Sequence, residues 1–222
     1  MSTVLVTGFG PFGHTPVNPA EQVARALDSR EIGGASIVAR ILPCAFFDSI
    51  EAARQAIREV EPNAVVMMGE YGGRAVVTVE RIAQNLIDST RYQLADNEGR
   101  SFQDRATASD GPIAYHSTLP IRAMVKAMRD AGVPADISDT PGTFICNHLM
   151  YGVLHHLATS APQIRAGWIH LPHLPSTAAL EQNLGAPSMS MQTSLVGVEA
   201  GIRALLAHPV DVDDPIQSRW QI

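Results

Sequence analysis

Short apolar runs rich in Val and Ile alternate along this chain with amphipathic stretches of helical period, and that alternation restricts its fold more than any other feature. The first run, Val4 to Thr7, stops at Gly8; others occupy 36–42, 64–68 and 166–171, the last closed by Pro172. Between them lie segments that read as helices. Asn18-Pro19-Ala20-Glu21 carries an N-cap, a proline at the first helical position and an acid three residues after the cap. Asp48 and Glu51 repeat the capping-box spacing and open a helix to about Val60. Further helices are expected over 119–131, 146–158 and 190–207, with a β-rich run at 75–79 and a short strand at 136–139. Parallel strands need such crossovers, and their helices cover both sheet faces. The pattern predicts an α/β fold with a mostly parallel sheet, in a single domain over 1–222. Polar residues 88–112 read as a long surface loop, and the chain from about 208 as a loosely held tail. No repeat, low-complexity tract or linker interrupts the order.

Composition removes several function classes. Of 222 residues, 45% are hydrophobic and only 17% charged, which argues against disorder. Sixteen Lys+Arg against 22 Asp+Glu leave a net charge of −6 with no basic run, so no nucleic-acid partner is expected. No stretch approaches the ~18 apolar residues of a membrane span, and the opening MSTVLVTGFG lacks the basic region of a signal peptide. Two cysteines cannot make a disulfide framework and suit a reducing cytoplasm.

Gly8-Phe9-Gly10-Pro11-Phe12-Gly13 has the letters of a dinucleotide fingerprint but not its physics. Pro11 lacks an amide, the next helix starts only near Asn18, and no acid ends the second strand. The loop instead offers two aromatics, Phe9 and Phe12, at the carboxyl end of a strand, where ligands of open α/β sheets sit; the simpler alternative is that both plug the sheet edge. Cys146 follows a glycine turn and begins a helix, where free amides and the helix dipole favour a thiolate. Cys44 follows Pro43 with no helix start and is expected to be structural. His170, near the end of a strand, is the attractive base for Cys146, with His173 as runner-up. Glu80, Asp110 and Asp139 are all open as the orienting carboxylate. Neither His-Glu-x-x-His nor paired Cys-x-x-Cys spacing is present, so no metal is expected.

Five blocks, in order, resemble the pyroglutamyl peptidase type I (pyrrolidone-carboxylate peptidase) family: Thr7 to Gly13 with Asn18-Pro19; Gly72-Gly73-Arg74 with Glu80 to Asn85; Asp96-Asn97-Glu98-Gly99; Gly142 to Gly152 around Cys146; and Gly167 to Pro172 around His170. The resemblance spans roughly 3–207, and the cysteine block is its most specific part. It implies a three-layer α/β/α sandwich around a twisted, partly mixed sheet. It also implies a cytosolic cysteine peptidase, often a dimer or tetramer, that needs no cofactor and removes N-terminal pyroglutamate from peptides. Carried over residue by residue, Cys146 becomes the nucleophile, His170 the base and Glu80 the triad carboxylate. Phe9, Phe12, Phe144 and Ile145 become the pocket of the pyrrolidone ring, and Arg91 the counterpart of an arginine that supports the oxyanion. Three features depart from the family pattern: Pro141 replaces an alanine, the stretch between Asn85 and Asp96 is longer, and Glu70 stands where many members carry glutamine. Glu70 is counted with the substrate-binding residues; facing the pocket it would favour a cationic imino acid, while the preferred expectation is that it points to solvent or pairs with Arg74, since a buried carboxylate finds a partner. The competing expectations are a related hydrolase with altered N-terminal specificity and a non-catalytic small-molecule binder of the same fold.

Overall fold

The computed structural model describes residues 2–13 and 15–218. His14 of the expected glycine-proline loop and 219–222 of the expected tail lie outside the described residues. In chain order the elements are β1 (Ser2–Phe9), α1 (Pro19–Leu27), β2 (Glu31–Ile32), β3 (Ala35–Leu42), α2 (Asp48–Val60), β4 (Ala64–Glu70), β5 (Val77–Glu80), β6 (Ile82–Gln84), β7 (Ala114–His116), α3 (Ile121–Asp130), β8 (Ala135–Ser138), α4 (Ile145–Ser160), β9 (Arg165–Leu171), α5 (Pro175–Ala178) and α6 (Met191–Ala207). The main sheet has the order β2-β3-β1-β4-β9-β5-β8, while β6 and β7 form a separate antiparallel ribbon. Strands β3, β1, β4 and β9 run parallel. β5 lies antiparallel to β9 and parallel to β8, and β2 antiparallel to β3, so the sheet is mixed.

The two-residue period of the strands sorts the core into two layers. Val4, Val6, Val66, Met68, Ile169 and Leu171 face one way and pack with Val23 and Leu27 of α1, Met124 of α3 and Ile202 of α6. Leu5, Val65, Met67 and Trp168 face the other way, onto Ile50 and Ile57 of α2 and Leu149 and Val153 of α4. Each such side chain contributes about 1.5–3 kcal/mol by leaving water. The result is a three-layer α/β/α sandwich, with residues of even number in β9 and β5, and of odd number in β4, on the α4 side.

Local chemistry explains where the structure departs from the sequence pattern. Asn18 caps α1 as expected, accepting from the Ala20 N–H at 3.0 Å. Asp48 is not a cap: α2 starts at Asp48 itself, Phe47 holds the cap position at φ 66°, and the Asp48 carboxylate pairs with Arg100 at 2.7 Å. Residues 88–112 form a largely exposed loop, as expected, anchored at a few points. The buried Asp96 carboxylate accepts from the N–H groups of Phe46, Glu98 and Arg100, and Asn97 donates to the Pro11 carbonyl at 3.0 Å. The tail through Ser218 is tied down rather than loose. Asp211 accepts from the free Arg122 and Ala123 N–H groups at the start of α3, Arg129 donates to the Gln217 carbonyl, and Val212 and Ile216 pack on the core.

Candidate active site

A cavity of about 340 Å³ opens at the carboxyl ends of β1, β4 and β9. Phe9 ends β1, Glu70 ends β4, His170 lies one residue from the end of β9, and Cys146 occupies the first turn of α4; all four line the cavity. The turn before α4 uses Gly142 at φ 84°, a conformation glycine adopts without cost, and Phe144 follows as an extended cap residue. Asn147 then fastens the helix start to β6, accepting from Gln84 N–H at 2.8 Å and donating to the Gln84 and Leu86 carbonyls at 2.9 Å. The thiol is thus fixed from both sides of its own residue.

Sheet register brings the next groups together. Gly69 of β4 and Thr78 of β5 both pair with His170 of β9. A Cβ on Gly69 would lie 3.0 Å from Cys146 Sγ and 2.6 Å from Trp168 Cζ2, so only glycine leaves room for the sulfur beside the histidine strand. His170 Nδ1 lies 2.7 Å from Glu80 Oε1. Glu80 is fully buried; Arg74, itself 3% exposed, donates to the same oxygen at 2.7 Å, and Thr78 Oγ1 donates to it at 3.1 Å. Burial opposes the Glu80 charge, but the bond from His170 and the charges of His170 and Arg74 hold the carboxyl below its ordinary range. Burial in turn lowers His170 against the pull of Glu80. A carboxylate beside a neutral imidazole fixes the tautomer: Nδ1–H donates to Glu80, and Nε2 keeps its lone pair. That Nε2 is buried and has no hydrogen-bond partner among the described residues.

Cys146 is half-buried, and its surroundings work against the helix start that was expected to favour a thiolate. Burial, with the neighbouring Cys44 and Glu80, pushes the thiol well above its ordinary value, more than Arg74 lowers it. Cys44 also reaches the cavity wall, but it is buried and pushed up to about 12 by burial and by Asp96.

The other residues anticipated from sequence divide sharply. Phe9, Phe12, Phe144 and Ile145 all line the cavity. Phe12 packs on Phe144 at 5.2 Å between ring centroids, whereas Phe9 is nearly buried against Trp168 at 5.7 Å and also serves the core. Glu70 faces the cavity, the less favoured of its two expected placements, and its partner is not Arg74: Glu70 Oε1 lies 2.7 Å from His173 Nδ1. Arg74 is committed to Glu80. Arg91 is not brought in with the others. It sits on an exposed 3-10 turn with its guanidinium 5.0 Å from the Tyr92 ring centre. Asp139 pairs with Arg81 at 3.1 Å and Asp110 lies 3.7 Å from His155, both well exposed, so neither competes with Glu80. Sequence reasoning offered Arg74 only as a partner for Glu70 and missed its place on Glu80. Its only signal was a lone arginine between a glycine turn and the strand that carries Glu80.

The family model for pyroglutamyl peptidase matches residues 2–208. The chain belongs to the pyroglutamyl peptidase family. The pyrrolidone-carboxylate peptidase of Mycobacterium tuberculosis is 61% identical over 222 residues, the whole of both chains. Pyrrolidone-carboxylate peptidase 2 of Photorhabdus laumondii is 46% identical over 95% of this chain and 94% of its own. Among solved structures, pyroglutamyl peptidase I from Bacillus amyloliquefaciens superposes with a TM-score of 0.91 at 35% identity, covering 96% of this chain and all of its own. Pyrrolidone carboxyl peptidase from Thermococcus litoralis gives 0.91 at 34% identity over 97% of this chain and all of its own. The mixed α/β sandwich is thus the fold of this family, as the five sequence blocks implied.

Proposed function

We propose that this chain removes N-terminal pyroglutamate from peptides, with Cys146 as nucleophile, His170 as general base and acid, and Glu80 as the orienting carboxylate. The observation that carries the reading is the His170–Glu80 bond at 2.7 Å, which spends Nδ1 and leaves Nε2 with a lone pair in the wall that also holds Cys146. Substrate sets the chemistry in motion. As Sγ attacks the carbonyl between pyroglutamate and the next residue, the thiol proton passes to Nε2. The tetrahedral oxyanion is held by the Cys146 backbone N–H, which lies in the first turn of α4 and has no acceptor within the helix. The imidazolium then gives its proton to the leaving amine as the C–N bond breaks. Water next attacks the thioester; its proton goes to Nε2 and on to sulfur as pyroglutamate leaves. Glu80 stabilises the imidazolium in both halves, and Arg74 keeps Glu80 ionised.

Phe12 and Phe144 supply flat apolar contact for the lactam, and Glu70 offers an acceptor for its N–H. This pathway uses no metal or cofactor. Two free cysteines fit a reducing cytoplasm, and the reading includes a homo-oligomer, which light scattering would size. The direct test is release of a fluorogenic amine from its pyroglutamyl conjugate. Wild type should release it and Cys146→Ser should not, with prolyl and alanyl conjugates as poor substrates. Equal release from all three conjugates would overturn the substrate assignment.

A further inference from the structure

The cavity contains a carboxylate–histidine pair that takes no part in breaking or making the scissile bond. Glu70 Oε1 and His173 Nδ1 are 2.7 Å apart, both side chains are largely buried at 12% and 15% exposure, and both line the same cavity as Cys146 and His170. The two come from neighbouring strand ends, since Glu70 pairs in register with Leu171, two residues before His173. The ring is seated firmly, because Gly72 Cα lies so close that a Cβ there would overlap the His173 imidazole. The rest of the wall is mainly aromatic and aliphatic: Phe9, Phe12, Phe144 and Ile145. The other charges nearby, Arg74 and Glu80, neutralise each other behind His170.

We propose that His173 sets specificity by engaging the Glu70 carboxylate, so that the cavity takes a neutral lactam and rejects a cationic imino acid of the same shape. This inference rests on the pyroglutamyl reading above and names what the site discriminates against. Pyroglutamate and proline share a five-membered ring. They differ in that the first has an uncharged N–H beside a carbonyl, and the second a protonated secondary amine. A bare carboxylate at the end of β4 would attract the amine and repel the lactam oxygen. With the His173 N–H donating to Oε1 at 2.7 Å, that oxygen is already occupied and a cationic amine loses the acceptor it would pair with best, while Oε2 still serves the lactam N–H. Such selectivity works by withholding an attraction from the wrong ligand rather than adding one to the right ligand.

The test measures dissociation constants of L-pyroglutamide and L-prolinamide by calorimetry at neutral pH, so it needs no turnover. Breaking the pair from each side should move the ratio in opposite directions. His173→Gln exposes the carboxylate and should shift preference towards prolinamide by on the order of tenfold, about 1.4 kcal/mol. Glu70→Gln leaves the histidine without a carboxylate and should shift preference away from prolinamide. The double variant should return close to the wild-type ratio, a rescue that a purely structural histidine would not give. Because each ratio is taken within one protein sample, loss of folded material does not alter it. An unchanged ratio in both single variants, or a shift that survives in the double variant, overturns the proposal. Failure of wild type to cleave a pyroglutamyl conjugate would instead overturn the peptidase reading, whatever the binding ratios.

Discussion

Two regions beside the cavity contain the same three residue types, a cysteine, a histidine and a carboxylate, and they do opposite things. One is Cys146, His170 and Glu80; the other is Cys44, His148 and Asp96. In the second, the polar atoms of the histidine and carboxylate side chains are all engaged. His148 Nε2 accepts from the Phe47 N–H at 2.9 Å, and its Nδ1 contacts Thr107 Oγ1 at 3.0 Å. Asp96 accepts from three backbone N–H groups and from Arg100. The Cys44 carbonyl accepts from Asn97, and its thiol is buried. In the first region one imidazole nitrogen is held and the other has no partner among the described residues, next to a half-buried sulfur. Residue type does not make a reactive site. On the proposed reading, what does is a positioned group with an unspent lone pair in a cavity wall.

The two cysteines break or uphold that contrast most directly. Cys146→Ala should remove turnover of a pyroglutamyl conjugate by three or more powers of ten, as loss of a triad nucleophile does. Cys44→Ala should leave kcat within about threefold and cost stability instead, since truncating a buried side chain typically costs about 0.5–3 kcal/mol. The checks are steady-state kinetics together with denaturant melts. A dead but folded Cys44→Ala protein would reverse the assignment.

The carboxylates come next. Glu80→Gln should lower kcat by about 10²-fold or more with little change in KM, because an amide neither fixes the Nδ1–H tautomer nor balances the imidazolium. It also leaves Arg74 buried without its counter-charge, so activity must be referred to folded protein. Asp96→Asn should do the reverse: residual activity per folded molecule near wild type, and a lower melting temperature as the clamp on Phe46 and Arg100 weakens. Stopped-flow kinetics and thermal melts on both variants separate the two outcomes.

The histidines differ in how they answer acid. His148 is pushed down to about 3, chiefly by burial and then by Arg105 and Arg100, from an ordinary value of 6.5. Its folded form therefore binds no proton in a window where the unfolded chain does. Stability contributed by neutral His148 is complete above 6.5 and is lost as pH falls from there towards 3, at about 1.4 kcal/mol per pH unit. His148→Gln should cost about 1–3 kcal/mol at neutral pH by disturbing the bond to Phe47. It should also flatten the fall in stability between pH 6.5 and 4.5, over which about 2–3 kcal/mol is at stake for the wild type. Urea melts across that range check both; an acid slope unchanged by the substitution would mean that other groups carry it.

How much of this contrast was legible in the sequence depends on distance along the chain. Cys146 was placed by a local signal, a glycine turn followed by a helix start. His170 was placed by the end of an apolar run. Glu80 was not separable from Asp110 or Asp139 by spacing, because its bond to His170 spans 90 residues and needs β5 to lie antiparallel on β9, a direction that an apolar run does not encode. The resemblance to a family supplied it. Glu70 shows the same limit: a buried carboxylate was rightly expected to find a partner, but that partner sits 103 residues away through the β4–β9 register. Asp48 had capping-box spacing, yet Arg100 draws its carboxylate elsewhere.

The smallest expected effect separates two phenylalanines. Phe46 belongs wholly to the quiet region. It is fully buried, edge-on to Phe102, Phe144 and His148 at 5.3–5.4 Å, and its N–H is held by Asp96. Phe12 is half-buried on the cavity wall and meets Phe144 at 5.2 Å from the other side. Phe144 is thus shared, with one neighbour in the core and one at the site. Phe46→Leu should act on stability, by about 1–2 kcal/mol, and not on substrate affinity. Phe12→Ala removes a ring that a bound lactam would lie against. An aromatic contact is worth about 0.5–1.5 kcal/mol beyond the area it buries, so KM should rise several-fold with kcat little changed. The lactam is uncharged and does not itself react, so this contact should be nearly equal in ground and transition states, which is why KM carries the effect. If Phe12→Ala lowered kcat and left KM alone, the ring would be positioning the scissile carbonyl against Sγ, and the boundary between the two regions would run through Phe12 rather than through Phe144.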